Sequence, residues 1–394
     1  MGAGHAAGQA AASLRQEKYE GNIIVLGDEP VLPYQRPPLS KAYLSGEQEQ
    51  EKLLLRAATF YEKQNIEVKT STSVTEINPQ NSTITIDARE DLSFDHLLIA
   101  TGSRVRKINV SGSELDNIYY LRTIEDVDQI RSGMAEDKKL VIVGGGYIGL
   151  EVAAIANQAG MNVRVLETED RVLQRVTTPT MSNYYTRLHE KRGVRIHTKT
   201  RVIGFEGKSA VERVVCENDA FDADLVIVGI GIIPNSELAE KAGIACENGI
   251  KVDERCQTSI PRIYAAGDCT NHPNPLLSRR VRLESVPNAM EQARVCAANM
   301  VGKEKIYSSI PWFWSDQYEL KLQMVGFSSD GDSEVIRGDM DTNQFSVFHV
   351  KENKVMAADS VNSPKDFMIC KQLIGKEVDL DKLLDESVEL KSML

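Results

Sequence analysis

Between Leu140 and Glu167 an apolar run, LVIV, leads into Gly144-Gly145-Gly146-Tyr147-Ile148-Gly149, then into the helical pattern LEVAAIANQAG, and then into a second apolar run, NVRVL, that ends at Glu167. Glycines at this spacing allow a tight turn, a close approach of the backbone to a ligand, and packing of the following helix on the strand. The helix N-terminus leaves backbone N–H groups free for an anion. Gly144, Gly146 and Gly149 can therefore cradle a pyrophosphate. Glu167 stands about 20 residues past the first glycine, where a carboxylate would accept from a ribose 2′-hydroxyl. A 2′-phosphate there would meet like charge costing up to roughly 4 kcal/mol at about 4 Å and an effective dielectric of about 20. The expected ligand is NADH before NADPH. Arg171 and Arg175 lie just downstream, where they could soften that preference or simply stay solvated.

A second turn of this kind opens the chain. Gly2-Ala3-Gly4-His5-Ala6-Ala7 precedes the helical QAAASLRQ and the strand NIIVLGDE. Ala7 takes the third glycine's place and is small enough for the helix-to-strand contact, and Asp28 is the candidate ribose acceptor. Only Met1 precedes Gly2, so the strand that should lead into this turn is missing. Four buried aliphatic side chains of such a strand would contribute roughly 6 to 12 kcal/mol. The expectation is that the text starts after the native beginning, the other possibility being a domain that holds its cofactor poorly.

Both turns need a parallel sheet beneath them, and 394 residues allow two or three domains. The chain carries 46 basic and 57 acidic residues, a net charge of −11. That balance argues against nucleic acid or an anionic membrane as a partner. No apolar run approaches the roughly 18 residues of a membrane span, and no signal peptide is visible. Ala6 stands where myristoylation would need a Ser or Thr. Cys216, Cys246, Cys256, Cys269, Cys296 and Cys370 are scattered, as are the six histidines, so no metal is expected. The expected location is the cytoplasm.

Two such folds in one chain, the second inserted in the first, resemble the glutathione-reductase type of flavoprotein, in which Leu98-Ile99-Ala100-Thr101-Gly102 matches the strand and turn that leave the first fold and Ile263-Tyr264-Ala265-Ala266-Gly267-Asp268 matches a strand that returns to its site. That resemblance implies FAD on the first fold and NAD(P)H on the second, inserted one. It narrows to the FAD-dependent ferredoxin reductases of bacterial oxygenase systems through GDEPVLPYQRPPLSKAYL (Gly27 to Leu44), YLRT (Tyr120 to Thr123), VIVGGGYIGLEVAA (Val141 to Ala154), GIGIIPN (Gly229 to Asn235), RLESVPNAMEQAR (Arg282 to Arg294) and PWFWSDQY (Pro311 to Tyr318). These segments span almost the whole chain.

The fold class so implied is α/β, with two Rossmann-like dinucleotide-binding domains and a small α+β C-terminal domain. Residues 1–106 and 231–310 are expected as the FAD domain, 107–230 as the NADH domain, and 311–394 as the third, whose strands would be QFSVFHV and KVMAADSV followed by helical SPKDFMICKQLIG. Carried over position by position, the resemblance implies FAD contacts from Ala6, Asp28, Lys41, Val74, Arg122, Asp268 and Val286; Gly2, Gly4, Ala100, Thr101, Gly102 and Trp314 are further candidates for cofactor contact, as is Arg36, whose other reading is a pair with a carboxylate. On the NADH side it implies Gly144, Gly146, Gly149 and Glu151, to which Glu167, Arg175 and Gly229 are added as candidate contacts. Lys41 would lie near the flavin ring, where an ammonium can stabilise developing negative charge. Glu151 would hold the nicotinamide amide.

NADH delivers two electrons at once, a two-iron two-sulfur ferredoxin accepts one, and flavin can handle both. Disulfide-reducing relatives carry a cysteine pair near the flavin; this chain has Leu32-Pro33-Tyr34-Gln35-Arg36-Pro37-Pro38 there. Electrons must then leave from the flavin itself, with Trp312 and Trp314 near the expected exit and Arg294 presented to a small acidic ferredoxin. The protein would act as a monomer or homodimer. Two other readings share these motifs: an NADH-sensing flavoprotein of the apoptosis-inducing-factor type, and a flavin-poor remnant.

Overall fold

The computed structural model describes residues 1–394. The chain divides into two compact units. One comprises Met1–Gln35, Glu51–Arg104 and Ile232–Pro311; the other comprises Arg36–Gln50, Val105–Gly231 and Trp312–Leu394. This division differs from the three-part expectation in two ways. Arg36–Gln50 joins the second unit, and the C-terminal segment shares a unit with Val105–Gly231.

In the first unit, strand Ile23–Leu26 pairs in parallel with Ile66–Lys69, and Leu97–Ile99 pairs in parallel with Ile263–Ala265. Met1 and Gly2 link the two pairs. The Gly2 N–H donates to Leu26 O at 2.8 Å, the Met1 amine donates to Leu98 O at 2.9 Å, and the Ala100 N–H donates to Met1 O at 2.8 Å. These two residues therefore lie where the strand missing from the sequence was expected. Helix His5–Gln16 packs on helix Val286–Met300, and their contact is made of small residues. Ala6, Ala7, Ala10, Ala289, Ala293 and Cys296 are all buried there. Short side chains let two backbones approach, which brings both helix N-termini to one end of the unit. A three-stranded meander, Val74–Asn78, Thr83–Ile86 and Glu90–Ser93, packs Ile77, Ile84 and Ile86 on a second core cluster with Met1, Leu26 and Ile99, and strands Ile250–Lys251, Thr270–Asn274 and Arg279–Val281 form a further small sheet of this unit.

The second unit is built on a five-stranded sheet ordered Arg195–His197, Asn162–Leu166, Lys139–Val143, Leu225–Val228, Ile118–Tyr119, with all four pairings parallel. Its central strand carries Leu140, Val141 and Ile142, each fully buried, as a strand covered on both faces requires. Helix Tyr147–Gln158 follows the glycine turn directly. An antiparallel sheet ordered Trp312–Gln317, Leu320–Gly326, Lys354–Val361, Gln344–Lys351, Ser333–Asp339 packs its first strand against that helix. Helix Pro364–Leu373 covers this sheet, burying Phe367, Cys370 and Leu373. The alternating QFSVFHV and KVMAADSV segments are adjacent strands here, as their pattern predicts. No helix is long and apolar enough to cross a membrane.

Candidate dinucleotide sites

The two glycine turns share one construction, each within its own unit. Gly2 has φ +97°, and a Cβ on it would lie 2.1 Å from Ala100 O; Gly144 has φ +112°, and its Cβ would lie 2.4 Å from Gly229 O. Each first glycine thus wedges against the carbonyl end of a neighbouring parallel strand, a contact that only the absence of a side chain permits. Gly4 and Gly146 are the N-caps of their helices, and neither helix has a side-chain cap. A Cβ on Gly4 or on Gly146 would meet nothing within 4 Å. The fold therefore leaves an open, uncapped helix N-terminus at each turn, as binding of a pyrophosphate requires. Gly149 packs its bare Cα toward Gly144 O, the helix-to-strand contact expected of the third glycine. Ala7, buried, serves the first helix at the corresponding place.

Around the first turn the structure gathers most of the residues expected there. Gly267 adopts φ +88°, and a Cβ on it would touch both Ala6 and Ala289. The Gly267-Asp268 turn thus abuts the N-terminal turns of both alanine-rich helices. Asp268 accepts from Ser103 Oγ at 2.9 Å. The Thr101 hydroxyl donates to Asn235 O at 2.7 Å, and Asn235 Nδ2 returns a bond to Thr101 O at 2.9 Å, which fixes the Ala100-Thr101-Gly102 corner. Val286 is the first residue of its helix, after the capping Ser285. Val74 opens the meander and packs on the cluster that holds Met1, Leu26 and Ile99. Asp28 is exposed just beyond strand Ile23–Leu26. Residue types alone did not single out Ser103, Asn235 or Gln292. Gln292 is fully buried, and its Oε1 accepts from the Gly267 N–H at 2.8 Å and Thr270 Oγ at 2.9 Å. Its only signal was its place within the EQAR segment.

At the second turn Glu167 behaves differently from a free ribose acceptor. Its Oε2 accepts from the Gly145 N–H at 2.7 Å, and its Oε1 accepts from the Glu169 N–H at 3.0 Å. The carboxylate is thereby held against the glycine turn, which fixes its negative charge there. Arg171 is spent internally, on Ser182 Oγ and Gln174 O. Arg175 is exposed, with its guanidinium 3.9 Å from where a Cβ of Gly231 would stand.

The second unit also brings together four residues from three segments far apart in sequence. Glu151, on helix Tyr147–Gln158 and only 3% exposed, accepts from Ser40 Oγ and from Lys41 Nζ, the latter at 2.7 Å, both on Oε2. Its Oε1 accepts from Ser315 Oγ at 2.7 Å. Arg36 donates to Arg122 O at 2.6 Å, so these two cations share one corner. Trp314 lies in strand Trp312–Gln317, within 5.6 Å of Trp312 and 6.2 Å of Phe313 between ring centroids.

Two further residues are engaged within the fold. Arg294 is ion-paired with Glu291 one helical turn away, which partly neutralises the charge it would offer to an acidic partner. Cys269, although adjacent to Asp268, is fully buried and turns its sulfur toward the carbonyls of Ile99 and Ala266, where burial raises its pKa. Of the other cysteines, four are buried and Cys246 is half-buried, and none is in a disulfide.

Residues 1–293 match the family model described as pyridine nucleotide-disulphide oxidoreductase, and residues 312–394 match the model described as reductase C-terminal. Putidaredoxin reductase CamA of Pseudomonas putida is 45% identical over 100% of this chain and 96% of its own length. Rhodocoxin reductase of Rhodococcus erythropolis is 40% identical over 99% of this chain and 92% of its own. Among solved structures, the covalent putidaredoxin reductase–putidaredoxin complex superposes with a TM-score of 0.95 at 45% identity, covering 100% of this chain and 96% of that one. With both glycine turns built alike and with these matches along its length, the chain belongs to the pyridine nucleotide-disulphide oxidoreductase family and carries that family's reductase C-terminal domain.

Proposed function

We propose that this protein is an NADH-dependent, FAD-containing reductase that passes single electrons to a small two-iron two-sulfur ferredoxin serving an oxygenase. The observation that carries this is the pair of open, uncapped helix N-termini behind Gly4 and Gly146, combined with the absence of any cysteine from the segment around Arg36 to Lys41. Two dinucleotides fit such turns, and with no thiol relay at that segment the electrons have to pass from flavin to partner directly. The likeness to a reductase captured with its putidaredoxin partner supports the same reading.

In this reading FAD sits on the first turn, held by Gly2, Gly4 and Ala6, with Asp28, Val74, Ala100, Thr101, Gly102, Asp268 and Val286 around it. NADH sits on the second, held by Gly144, Gly146, Gly149, Gly229 and Arg175, with Glu167 taking its ribose. FAD, when bound, supplies the exchange between a two-electron donor and a one-electron acceptor. The chain's own contribution is electrostatic and geometric. Lys41, its ammonium fixed by Glu151, is assigned to the flavin ring; Arg36, Arg122 and Trp314 are assigned to the same cofactor. Glu151 is assigned to the nicotinamide amide. Residues 1–106 with 231–310, 107–230, and 311–394 serve as FAD, NADH and interface modules, with Arg294 and Trp314 facing the ferredoxin. A cytoplasmic location belongs to the proposal and suits six cysteines without a disulfide.

The test is an anaerobic titration of the purified protein with NADH, followed by a candidate ferredoxin. Bleaching of bound flavin followed by ferredoxin reduction is expected. Bleaching without onward transfer would instead favour a sensor, and a protein that binds no flavin would overturn the proposal.

A further inference from the structure

We propose that Ser315, Gln317 and His189 are positioning residues for Glu151, acting through one buried, polarised line of hydrogen bonds. The inference rests on the proposed contact of Glu151 with the nicotinamide. Glu151 has two oxygens and two kinds of partner. Oε2 meets Ser40 and Lys41, whereas Oε1 meets only the Ser315 hydroxyl at 2.7 Å. An ionised carboxylate only accepts, so Ser315 must donate to it. The Ser315 oxygen then accepts from Gln317 Nε2 at 3.2 Å, which leaves Gln317 Oε1 as an acceptor. His189 Nε2 lies 2.9 Å from that oxygen and must carry the ring proton. The other ring nitrogen, Nδ1, is left to accept, and the Tyr318 hydroxyl stands 3.4 Å from it.

Every donor in this line therefore points toward Glu151. Ser315, Gln317 and His189 are each fully buried, so no water competes for their bonds. Chains aligned in this way polarise one another, and the hydroxyl at the carboxylate end is held most firmly. A proton path is the other use of such a line, but an amide does not pass a proton by simple hopping, and Gln317 interrupts this one. Orientation is what the line can supply. Ser315 and Gln317 stand two residues apart on one strand and share a face, while Trp312, Trp314 and Asp316 take the other. The strand that bears Trp314 is thus keyed to the helix that bears Glu151, and the carboxylate's free rotation is removed from its Oε1 side.

The experiment uses the FAD-loaded protein, with stopped-flow measurement of flavin reduction by NADH and 15N-histidine NMR of the resting protein. Gln317→Leu and His189→Leu should lower the limiting reduction rate about tenfold while the dissociation constant for NADH stays within about twofold. His189→Gln keeps an N–H that can reach Gln317 Oε1 and should restore most of the rate. The NMR spectrum should show His189 neutral with its proton on Nε2. Glu151→Gln is the control: if it leaves the rate unchanged, the nicotinamide reading of Glu151 fails, not the hydrogen-bond line. If Glu151→Gln is slow while Gln317→Leu and His189→Leu match the wild type, the positioning proposal is overturned. A proton found on Nδ1 of His189 overturns it too, and this measurement needs no variant to fold. Equal loss of NADH affinity and rate, without rescue by His189→Gln, would mark the line as structural support only and would also overturn it.

Discussion

Gly144 and Gly229 meet so closely that a Cβ on the first would stand 2.4 Å from the carbonyl oxygen of the second, with Gly144 already at φ +112°. Two glycines later the situation reverses, since a Cβ on Gly146 would meet no protein atom. Alanine at these positions should therefore separate folding from binding. Gly144→Ala is expected to destabilise the fold by about 1–3 kcal/mol through strain and displacement of the Gly229 corner. Gly146→Ala should leave thermal stability within about 0.5 kcal/mol yet weaken NADH binding at least about tenfold, because only the ligand's atoms would occupy that space. Gly4→Ala should do the same for FAD retention. Calorimetry paired with NADH titration and flavin content would check all three, and unchanged binding in Gly146→Ala would show that no pyrophosphate lies there.

The Lys41–Glu151 pair gives a second expectation. Its bond is 2.7 Å long, with the lysine side chain 19% exposed and the glutamate 3%. Removing one member leaves the other without its counter-charge in a nearly dry site, a change that typically costs about 3–5 kcal/mol. Lys41→Met should fall toward the low end, since Ser40 and Ser315 still donate to Glu151. The double variant Lys41→Met with Glu151→Gln should recover more than about 1 kcal/mol of that loss. Urea denaturation of the four proteins completes the cycle; strict additivity would mean that the two groups do not cooperate.

How much of this was legible beforehand depends on the range of the interaction. Gly144 to Gly149 declare themselves because turn, helix start and strand are contiguous, so local spacing carries the physics. Glu167 was found by its distance from the turn, but its bond to the Gly145 N–H was not, since spacing says nothing of where a carboxylate points. The Glu151 site was half visible. Lys41 and Glu151 came from the resemblance, yet their contact spans 110 positions and Ser315 is a further 164 from Glu151. Nothing in PWFWSDQY announces that its serine and glutamine are buried while its tryptophans are only partly so. The association of Arg36–Gln50 with the second unit was likewise invisible, because that loop has no periodicity to reveal its neighbours.

Glu167 carries the third prediction. Its fixed carboxylate holds one negative charge beside the proposed ribose, and neutralising it removes repulsion toward a 2′-phosphate. Glu167→Gln should raise the ratio of kcat/KM for NADPH over NADH by about tenfold or more, a fraction of the roughly 4 kcal/mol bound on a close like-charge pair. The amide oxygen can keep the bond to Gly145 N–H but not also the one from Glu169 N–H, which is exposed and can turn to water, so the loss of stability should be about 1 kcal/mol. Steady-state kinetics with both nucleotides decides it. An unchanged ratio would place the discriminating charge elsewhere, with exposed Arg175 the next residue to vary.

Two buried imidazoles set the acid limit of the fold. Burial pushes His189 down to about 4, against the opposing bond to Gln317, and pushes His272 down to about 4, with Arg280 adding to the effect. Both are lowered from an ordinary value of 6.5, so the folded protein keeps them neutral while the unfolded chain protonates them. Below pH 6.5 the unfolded state therefore binds more protons, and stability falls as the pH falls. The contribution is present in full above pH 6.5 and is lost progressively down to about pH 4, where the folded rings begin to charge. Each ring accounts for up to about 3 kcal/mol across that window. Most carboxylates remain ionised at pH 5, so the interval from pH 7 to pH 5 reports the imidazoles together with the Met1 amine, which burial lowers to about 6. The urea midpoint should drop steadily over that interval in the wild type. In His189→Gln the slope should fall by the share of one linked proton, with His272, the Met1 amine and the less strongly lowered His96 and His197 supplying the rest. A midpoint that stays flat from pH 7 to pH 5 would mean that neither ring is held neutral by the fold.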